Sequence, residues 1–463
     1  MKNEGFSSKI GFVLAAAGSA VGLGNIWRFP YLAAQYGGGI FLLTYLVLVL
    51  TFGYALLISE IGIGRMTGKS PIGAFRELCA GKKSFLGSVR LGGWINAVVP
   101  MIILPYYCVI GGWVTKYVVA LATNPVSTFH QSNSGASAEY FVKFITDPWN
   151  STLFFLLFML ITTLVVACGV EKGIERFNKI LMPALILLII GICVYCMFLP
   201  NAKAGFTYYL KPDWSKFSYM TVVAAMGQLF FSLSIAMGIM VTYGTYMRKD
   251  DNVVSCVNHV ELFDTGVSFL AGLMIIPAVV AFGGEAAANN SGPGLIFVIM
   301  PQVFAGFTGG GIVGVIFFVL VLFAAATSAV SLMETNVHTI SQELKISRKK
   351  AMLCVIGEVI CIGVITVLGY SVLKEVHPLA FIEKYRNMDI LDTLDFISNS
   401  VLMPIGAIFT TVLVVAVIGL EKFSNQIKTG GKWRRQFTFQ FCMSIIVIPC
   451  LLIVLLNAVG VLK

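Results

Sequence analysis

Residues 17–30 constrain the fold more than any other stretch of the chain. They lie within a long apolar run, yet they contain three glycines in seven residues, followed by Asn25, Arg28 and Pro30. Glycine and proline interrupt helices, and in a bilayer the freed backbone groups need protein or a water-filled cavity around them. This segment therefore predicts a membrane-spanning helix that is broken beside a cavity.

The composition identifies a membrane protein. Of the 463 residues 57% are hydrophobic and only 12% are charged, with a mean hydropathy of +0.88, whereas charged residues make up about a quarter of a soluble domain. A net charge of +10 does not indicate nucleic-acid binding, because the basic residues fall in short loops between apolar runs. We expect one transmembrane domain over 1–463 and no separate soluble domain.

Apolar runs of about twenty residues, the length that crosses a bilayer, predict eleven spans. They cover 10–35, 38–64, 89–122, 151–168, 178–200, 217–246, 253–283, 310–341, 351–373, 391–419 and 437–460. With a cytoplasmic N-terminus, 22 of the 32 lysines and arginines fall inside and eight outside, as the positive-inside rule requires. We therefore predict a multi-pass protein of the plasma (inner) membrane with an extracytoplasmic C-terminus. A cleaved signal peptide is excluded because the first apolar run continues past the glycines.

A second interruption occurs in the sixth predicted span, at residues 231–238, which again contain serine, alanine and glycine. If residues 10–200 and 217–419 are structural repeats, with an extra helix at 437–460, the two breaks occupy equivalent positions. Inverted repeats of this kind place a substrate site between the broken helices. Glycine and serine can instead serve only close helix packing, but Asn25 and Arg28 beside the first break favour a binding site.

Ionisable residues within the predicted spans need partners, since each costs about 2.5–3.5 kcal/mol on insertion scales. Arg28 and Asp395 lie near the outer ends of their spans and are the pair we would join, unless each reaches the surface separately. Glu60 is expected to brace a broken helix. Asp264 lies about a third of the way along the seventh span, where a carboxylate indicates a cation.

Two adjacent hydroxyls, Thr327 and Ser328, follow three alanines in the eighth span. Together with backbone carbonyls they suit a hard monovalent cation, although such hydroxyls also bond back to the carbonyl four residues earlier. Cys193 and Cys196 form a C-x-x-C within an apolar span, which indicates neither a metal nor a redox site. No paired aspartates or Ser/His arrangement indicates an enzyme.

These motifs together carry a family resemblance. They are residues 18–30, residues 37–39 with Tyr45, Tyr106 with Tyr107, residues 228–234, and Thr327 with Ser328. Across essentially the whole chain they resemble the neurotransmitter:sodium symporters, and most of all the bacterial branch that carries several hydrophobic amino acids. The resemblance implies an all-α polytopic membrane protein with a 5+5 inverted-repeat (LeuT-type) transporter fold. It also implies eleven transmembrane helices, with helices 1 and 6 unwound at mid-membrane.

The resemblance implies two sodium sites. The first would use Ala20, Asn25, Ser232 and Asp264. The second would use the carbonyls of Gly18, Val21 and Ala324 with the hydroxyls of Thr327 and Ser328.

It also implies a substrate site between the breaks. The substrate carboxylate would meet the amides of Leu23 and Gly24, the Tyr107 hydroxyl and the first sodium, which Ser232 helps to hold. The amino group would meet Ala20, Phe231 and Ser234. The side-chain pocket would be lined by Val21, Ile103, Met237, Ser328 and Leu332. The outer gate would pair Arg28 with Asp395 and Phe231 with Tyr107.

Two departures from the family pattern affect these expectations. Chloride-dependent members carry a neutral group in the seventh span, where Asp264 supplies fixed negative charge. We therefore expect that chloride is not required, although the chloride neighbours Tyr45, Gln228, Ser232 and Ser268 are all present. The usual inner-gate arginine and aspartate are also replaced, by residues 2–6 and by Gln342 and Glu343.

The expected function is sodium-coupled import of neutral, hydrophobic L-amino acids by alternating access. An apolar pocket would leave the charge of a lysine or glutamate substrate unpaired. The alternatives are a proton-coupled amino acid permease of the same fold and an amino-acid sensor. The permease would need a lysine in the middle of the fifth span, and the sensor would need a signalling domain. Neither feature is found. The expected partners are a small amino acid and the lipid bilayer, with no nucleic acid.

Overall fold

The computed structural model describes residues 6–82, 85–123, 136–199, 202–248, 251–288, 294–306 and 309–460. Within these ranges the regular structure is helical, apart from one isolated β-bridge between Gly38 and Pro212. The all-helical prediction is therefore confirmed. The ends of the chain at 1–5 and 461–463, which the predicted topology places on opposite sides of the membrane, lie outside the described residues.

Nine helices of the described chain are long and apolar enough to cross a membrane. They are Gly39–Thr67, Leu86–Thr123, Pro148–Ala167, Val170–Met197, Val253–Ala281, Gly310–Glu343, Arg348–Leu368, Ile390–Lys428 and Gln436–Ala458. Two further spans are broken. The first in the chain consists of Lys9–Ala20 and Gly24–Gln35, which meet at a 50° bend. The second consists of two short helices, Tyr219–Ser232 and Ile239–Thr245, and it brings the number of spans to eleven.

We number these eleven in chain order as spans 1 to 11, so that spans 1 and 6 are the broken ones. The predicted bounds hold to within about three residues for most spans. Span 5 begins at Val170, eight residues before its predicted start, through a π-helical turn. Span 10 continues to Lys428 as an amphipathic helix, Leu420–Lys428, beyond its predicted end at 419.

Shorter helices lie outside the spans. Pro71–Leu78 follows span 2, Ala136–Thr146 precedes span 4, and Ala202–Leu210 lies between spans 5 and 6. Leu295–Ala305 lies between spans 7 and 8, and the Tyr117 hydroxyl of span 3 donates to the Phe297 carbonyl at 2.7 Å. Pro71–Leu78 lies at the end of the bundle where span 8 finishes, and the other three segments follow spans 3, 5 and 7 at the opposite end.

The break in span 1 is stabilised by its own asparagine. The first half ends at Ala20, and Val21 takes an extended conformation with ψ 96°. The Gly22 amide, which leaves the helical pattern, donates to Asn25 Oδ1 at 2.9 Å. Because a buried amide without a partner is costly, this internal hydrogen bond lets the chain unwind away from water.

The break in span 6 uses left-handed backbone conformations. Ser234, Ala236 and Gly238 have φ values of +53°, +59° and +66°, which are unfavourable for residues with a Cβ atom. The Ala236 amide donates to Glu60 Oε1 at 2.6 Å, and Glu60 is fully buried in span 2. This contact confirms the prediction that Glu60 braces a broken helix.

Candidate functional site

Asn25 is the centre of a buried polar cluster that joins spans 1, 6 and 7. Its Nδ2 donates to Asp264 Oδ1 at 2.7 Å, to Ser268 Oγ at 2.8 Å and to Ser232 Oγ at 3.0 Å. Asn25, Asp264 and Ser268 have no exposed surface. The structure thus brings together three of the four residues predicted for the first sodium site, and Ala20 lies at the adjoining helix end.

Asp264 is held by neutral donors alone. Its Oδ1 also accepts from the Ser232 hydroxyl at 2.6 Å, and its Oδ2 accepts from the Tyr45 hydroxyl at 3.1 Å. Among the described residues no lysine or arginine pairs with it. A buried carboxylate without a basic partner attracts a cation, and the surrounding oxygens suit a hard ion such as sodium.

A second set of oxygens converges where span 8 meets the end of the first half of span 1. The Thr327 hydroxyl lies 3.0 Å from the Ala324 carbonyl and 3.5 Å from that of Val21. The Ser328 hydroxyl lies 3.4 Å from the Gly18 carbonyl and 3.5 Å from that of Val21. All five predicted ligands of the second sodium site therefore come together within one small, buried volume.

The hydroxyls of Thr327 and Ser328 make contacts of two kinds. Thr327 does bond back to the Phe323 carbonyl at 3.1 Å, as an ordinary helical threonine would. Ser328 has its shortest bond, 3.1 Å, to the Ser19 carbonyl of span 1 instead. The first contact lies within span 8, and the second joins spans 8 and 1 through a hydroxyl–carbonyl bond; the sodium site at this place stays a prediction.

A small cavity with a volume of about 20 Å³ lies at the breaks of spans 1 and 6. It is lined by Ser19, Ala20, Gly22, Gly24, Ile103, Tyr107, Phe231, Ser234, Met237, Ile239, Ser328 and Leu332. The Tyr107 hydroxyl accepts from the Leu23 amide at 3.3 Å at its edge. No lysine, arginine, aspartate or glutamate is among these lining residues.

Nine of the twelve residues predicted for substrate binding line this cavity. Val21, Leu23 and Ser232 lie beside it, the first two in the break and the third in the Asn25 cluster. The lining residues that the sequence reasoning missed are Ser19, Gly22 and Ile239. The first two belong to the broken segment, so their place in it was a usable signal, whereas nothing local marks Ile239.

The predicted outer gate is only partly assembled. Arg28 does not pair with Asp395 among the described ion pairs; its guanidinium lies 5.5 Å from the centre of the Phe231 ring. Asp395 instead accepts from the Tyr106 hydroxyl at 3.1 Å and from Asn399 Nδ2 at 2.5 Å. The direct pair is thus not among the described ion pairs, and it stays a prediction for other states.

The opposite side, predicted to be cytoplasmic, contains a network centred on Glu334. Arg348 donates to its two carboxylate oxygens at 2.8 and 2.5 Å, and the Tyr246 hydroxyl donates at 2.6 Å. Phe6 packs edge-on against Tyr243 and Tyr246. The sequence reasoning missed Glu334, although an ionisable residue inside a predicted span is the signal that identified Asp264.

The residues at the expected inner-gate positions have other partners. Glu343 pairs with Arg76, and Gln342 Oε1 accepts from the Ser70 amide at 2.7 Å. Both contacts hold the end of span 8 to the short helix Pro71–Leu78. Residues 1–5, at the other position of the expected inner gate, lie outside the described ranges.

Comparisons with known proteins agree with this geometry. A family model described as "Sodium:neurotransmitter symporter family" matches residues 3–142 and 123–462. The chain is 35% identical over 460 residues to the uncharacterized sodium-dependent transporter YhdH of Bacillus subtilis (strain 168), covering 99% of this chain and 98% of that protein. An uncharacterized sodium-dependent transporter of Haemophilus influenzae is 30% identical and covers 90% of each chain. The crystal structure of MhsT in complex with L-phenylalanine is similar with a TM-score of 0.87 and 34% identity, over 98% of this chain and 99% of that one.

Proposed function

The chain belongs to the sodium:neurotransmitter symporter family, and from this premise we propose that it imports neutral, hydrophobic L-amino acids by sodium-coupled symport. Its site would lie in the plasma (inner) membrane between the breaks of spans 1 and 6. The observation that carries the proposal is a cavity without charged lining residues at the two helix breaks, where two clusters of oxygen atoms also lie.

The broken segment of span 1 links the two ion sites to the substrate. Residues 18–25 contribute carbonyls to both predicted sodium sites and amides to the predicted carboxylate site. The second half of span 1 begins at Gly24, which lines the cavity, and the N-terminal end of a helix favours an anionic group. Sodium bound beside Asp264 would complete the charge balance for an amino acid carboxylate. Sodium and substrate would then each strengthen the binding of the other.

The rest of the cavity selects the side chain. Ile103, Met237 and Leu332 are at least 97% buried and offer no partner for a charged substrate group, so a lysine or glutamate substrate would pay the cost of an unpaired charge. The flexible thioether of Met237 would accept several apolar shapes. MhsT, which has a similar fold, was crystallised with L-phenylalanine, and this supports an apolar or aromatic substrate for the present chain.

We also propose that transport does not require chloride. The residues that would surround the anion lie near Asp264: Tyr45 donates to its carboxylate, and Ser268 shares the Asn25 amide with it. A carboxylate already supplies the negative charge at this place, and a chloride ion beside it would be repelled.

Uptake by the purified protein in liposomes tests the proposed function. Radiolabelled leucine or tryptophan should accumulate when an inward sodium gradient is imposed, and should not when potassium replaces sodium. Unlabelled hydrophobic amino acids should compete, while lysine and glutamate should not. Uptake driven equally well by a proton gradient without sodium would refute sodium coupling, and uptake of glutamate or lysine alone would refute the substrate class. Liposomes without protein are the control.

A further inference from the structure

The segment that joins spans 10 and 11, residues 429–435, is fixed to the helix bundle by Trp433 and Arg435. Trp433 is 7% exposed, and its indole donates to the Tyr54 hydroxyl of span 2 at 2.8 Å. Arg435, the last residue before span 11, donates to the Leu50 carbonyl of span 2. We call residues 429–435 the strap, because they tie span 11 to spans 2 and 7.

Arg435 makes a two-point ion pair with Glu261 of span 7. Nη1 lies 2.7 Å from Oε2, and Nη2 lies 3.1 Å from Oε1. The guanidinium also stacks over the Tyr54 ring, with its central carbon 3.6 Å from the ring centre. The side chain of Glu261 is only 7% exposed, and that of Arg435 is 29% exposed. Paired forks of this kind are strong and directional, so the positive charge is held in one place.

Glu261 lies one helical turn from Asp264. Three residues correspond to a rise of about 4.5 Å, and side chains at this spacing share a helix face. Asp264 belongs to the Asn25 cluster and has no basic partner of its own among the described residues. Two carboxylates so close together would repel each other in a medium of low dielectric constant. Arg435 compensates the charge of Glu261 and leaves the negative charge of Asp264 uncompensated.

We propose that Arg435 is a positioning residue for the first sodium site: by pairing with Glu261 it sets the net charge near that site to the single negative charge of Asp264. The inference rests on the proposed function, since it concerns the affinity of the sodium ion that Asp264 would hold. It gives the strap a role beyond packing, because a segment outside both predicted repeats then tunes the ion site.

The sign of the effect follows from electrostatics. Glu261→Gln leaves the positive charge of Arg435 uncompensated at roughly 10 Å from the ion. At an effective dielectric constant of about 20 this weakens sodium binding roughly tenfold. Arg435→Met removes that positive charge and so does not weaken sodium binding. The double variant has neither charge and should resemble the wild type.

The experiment is a sodium titration of amino acid binding to purified protein, with wild type, E261Q, R435M, the double variant and R434M. Arg434 is exposed and its removal deletes the same charge one residue away, so R434M is the matched control. We expect E261Q to raise the half-saturating sodium concentration about tenfold. The double variant should return to within about threefold of wild type, and R435M and R434M should show no increase. Amino acid affinity at saturating sodium should stay unchanged in all five.

Two results would overturn the inference. The first is a half-saturating sodium concentration for E261Q equal to that of the wild type. The second is an E261Q defect that persists in the double variant, which would mean that the pair acts only by packing. If E261Q is too unstable to purify, sodium-dependent uptake by intact cells provides the same titration. Loss of sodium dependence in the wild type itself would instead contradict the proposed function, so the two failures are distinguishable.

Discussion

The second ion site makes the sharpest prediction, because one hydroxyl can be removed there without changing the shape of the side chain. In Thr327→Val a methyl group replaces the hydroxyl that lies between the carbonyls of Ala324 and Val21, at 3.0 and 3.5 Å. The residue is completely buried, so neither water nor another side chain can take the place of the lost oxygen. A bound sodium ion would keep four of its five predicted ligands.

The size of the effect follows from the chemistry of that ligand. A hydrogen bond to a charged group contributes about 1.5–3 kcal/mol, and we take this as the value of a hydroxyl facing sodium. Since about 1.4 kcal/mol corresponds to a factor of ten, the half-saturating sodium concentration should rise roughly 10- to 150-fold. Uptake at low sodium should fall to match, while uptake at very high sodium should partly recover.

Thr335→Val is the matched control for this prediction. Thr335 lies two turns further along span 8, is fully buried, and bonds back to the Ser331 carbonyl at 2.9 Å, as Thr327 does to Phe323. It makes no hydrogen bond to span 1 among the described contacts. Sodium-dependent uptake in liposomes should therefore separate the two variants. If T327V stays within twofold of wild type, or if T335V shows an equal defect, Thr327 is not an ion ligand.

Three further predictions follow from single contacts. Glu60→Ala should lower the thermal unfolding midpoint because it leaves the buried Ala236 amide without its acceptor, at a cost of about 1–3 kcal/mol. Glu60→Gln keeps an acceptor oxygen, so its midpoint should lie close to that of the wild type. Equal losses in both variants would contradict the role of Glu60 as a brace. Ala236→Gly should stabilise the protein by up to about 1 kcal/mol, since glycine adopts φ +59° without the cost to a Cβ residue, whereas a lower midpoint in the same thermal assay would contradict this. Replacement of chloride by gluconate should leave sodium-driven uptake unchanged, and a strict chloride requirement would show that Asp264 does not replace the anion.

The sequence was informative wherever a residue type conflicts with its depth in the membrane. Glycines and Asn25 in an apolar run predicted the break in span 1, and Asp264 in span 7 predicted a charged site. Both predictions depend on local facts: how far a segment reaches across the bilayer, and what an unsatisfied polar group costs there. For the same reason most of the spans could be placed within a few residues, spans 5 and 10 being the exceptions.

The partners of the charged groups could not be predicted in this way. Arg28 and Asp395 both lie in the spans predicted for them, yet the first lies over Phe231 and the second bonds to Tyr106 and Asn399. Likewise, the sequence does not indicate that Arg435 reaches Glu261, since 174 residues separate them along the chain.

What the sequence by itself determined is therefore the set of helices, the two places where they break, and the residue types available at mid-membrane depth. Only the tertiary structure decided which side chains meet. That choice depends on how each helix is rotated about its axis and on the angle at which it crosses its neighbours. A rotation of one residue, about 100°, turns a side chain from the cavity toward the lipid, and this rotation is set by the packing of all the helices together.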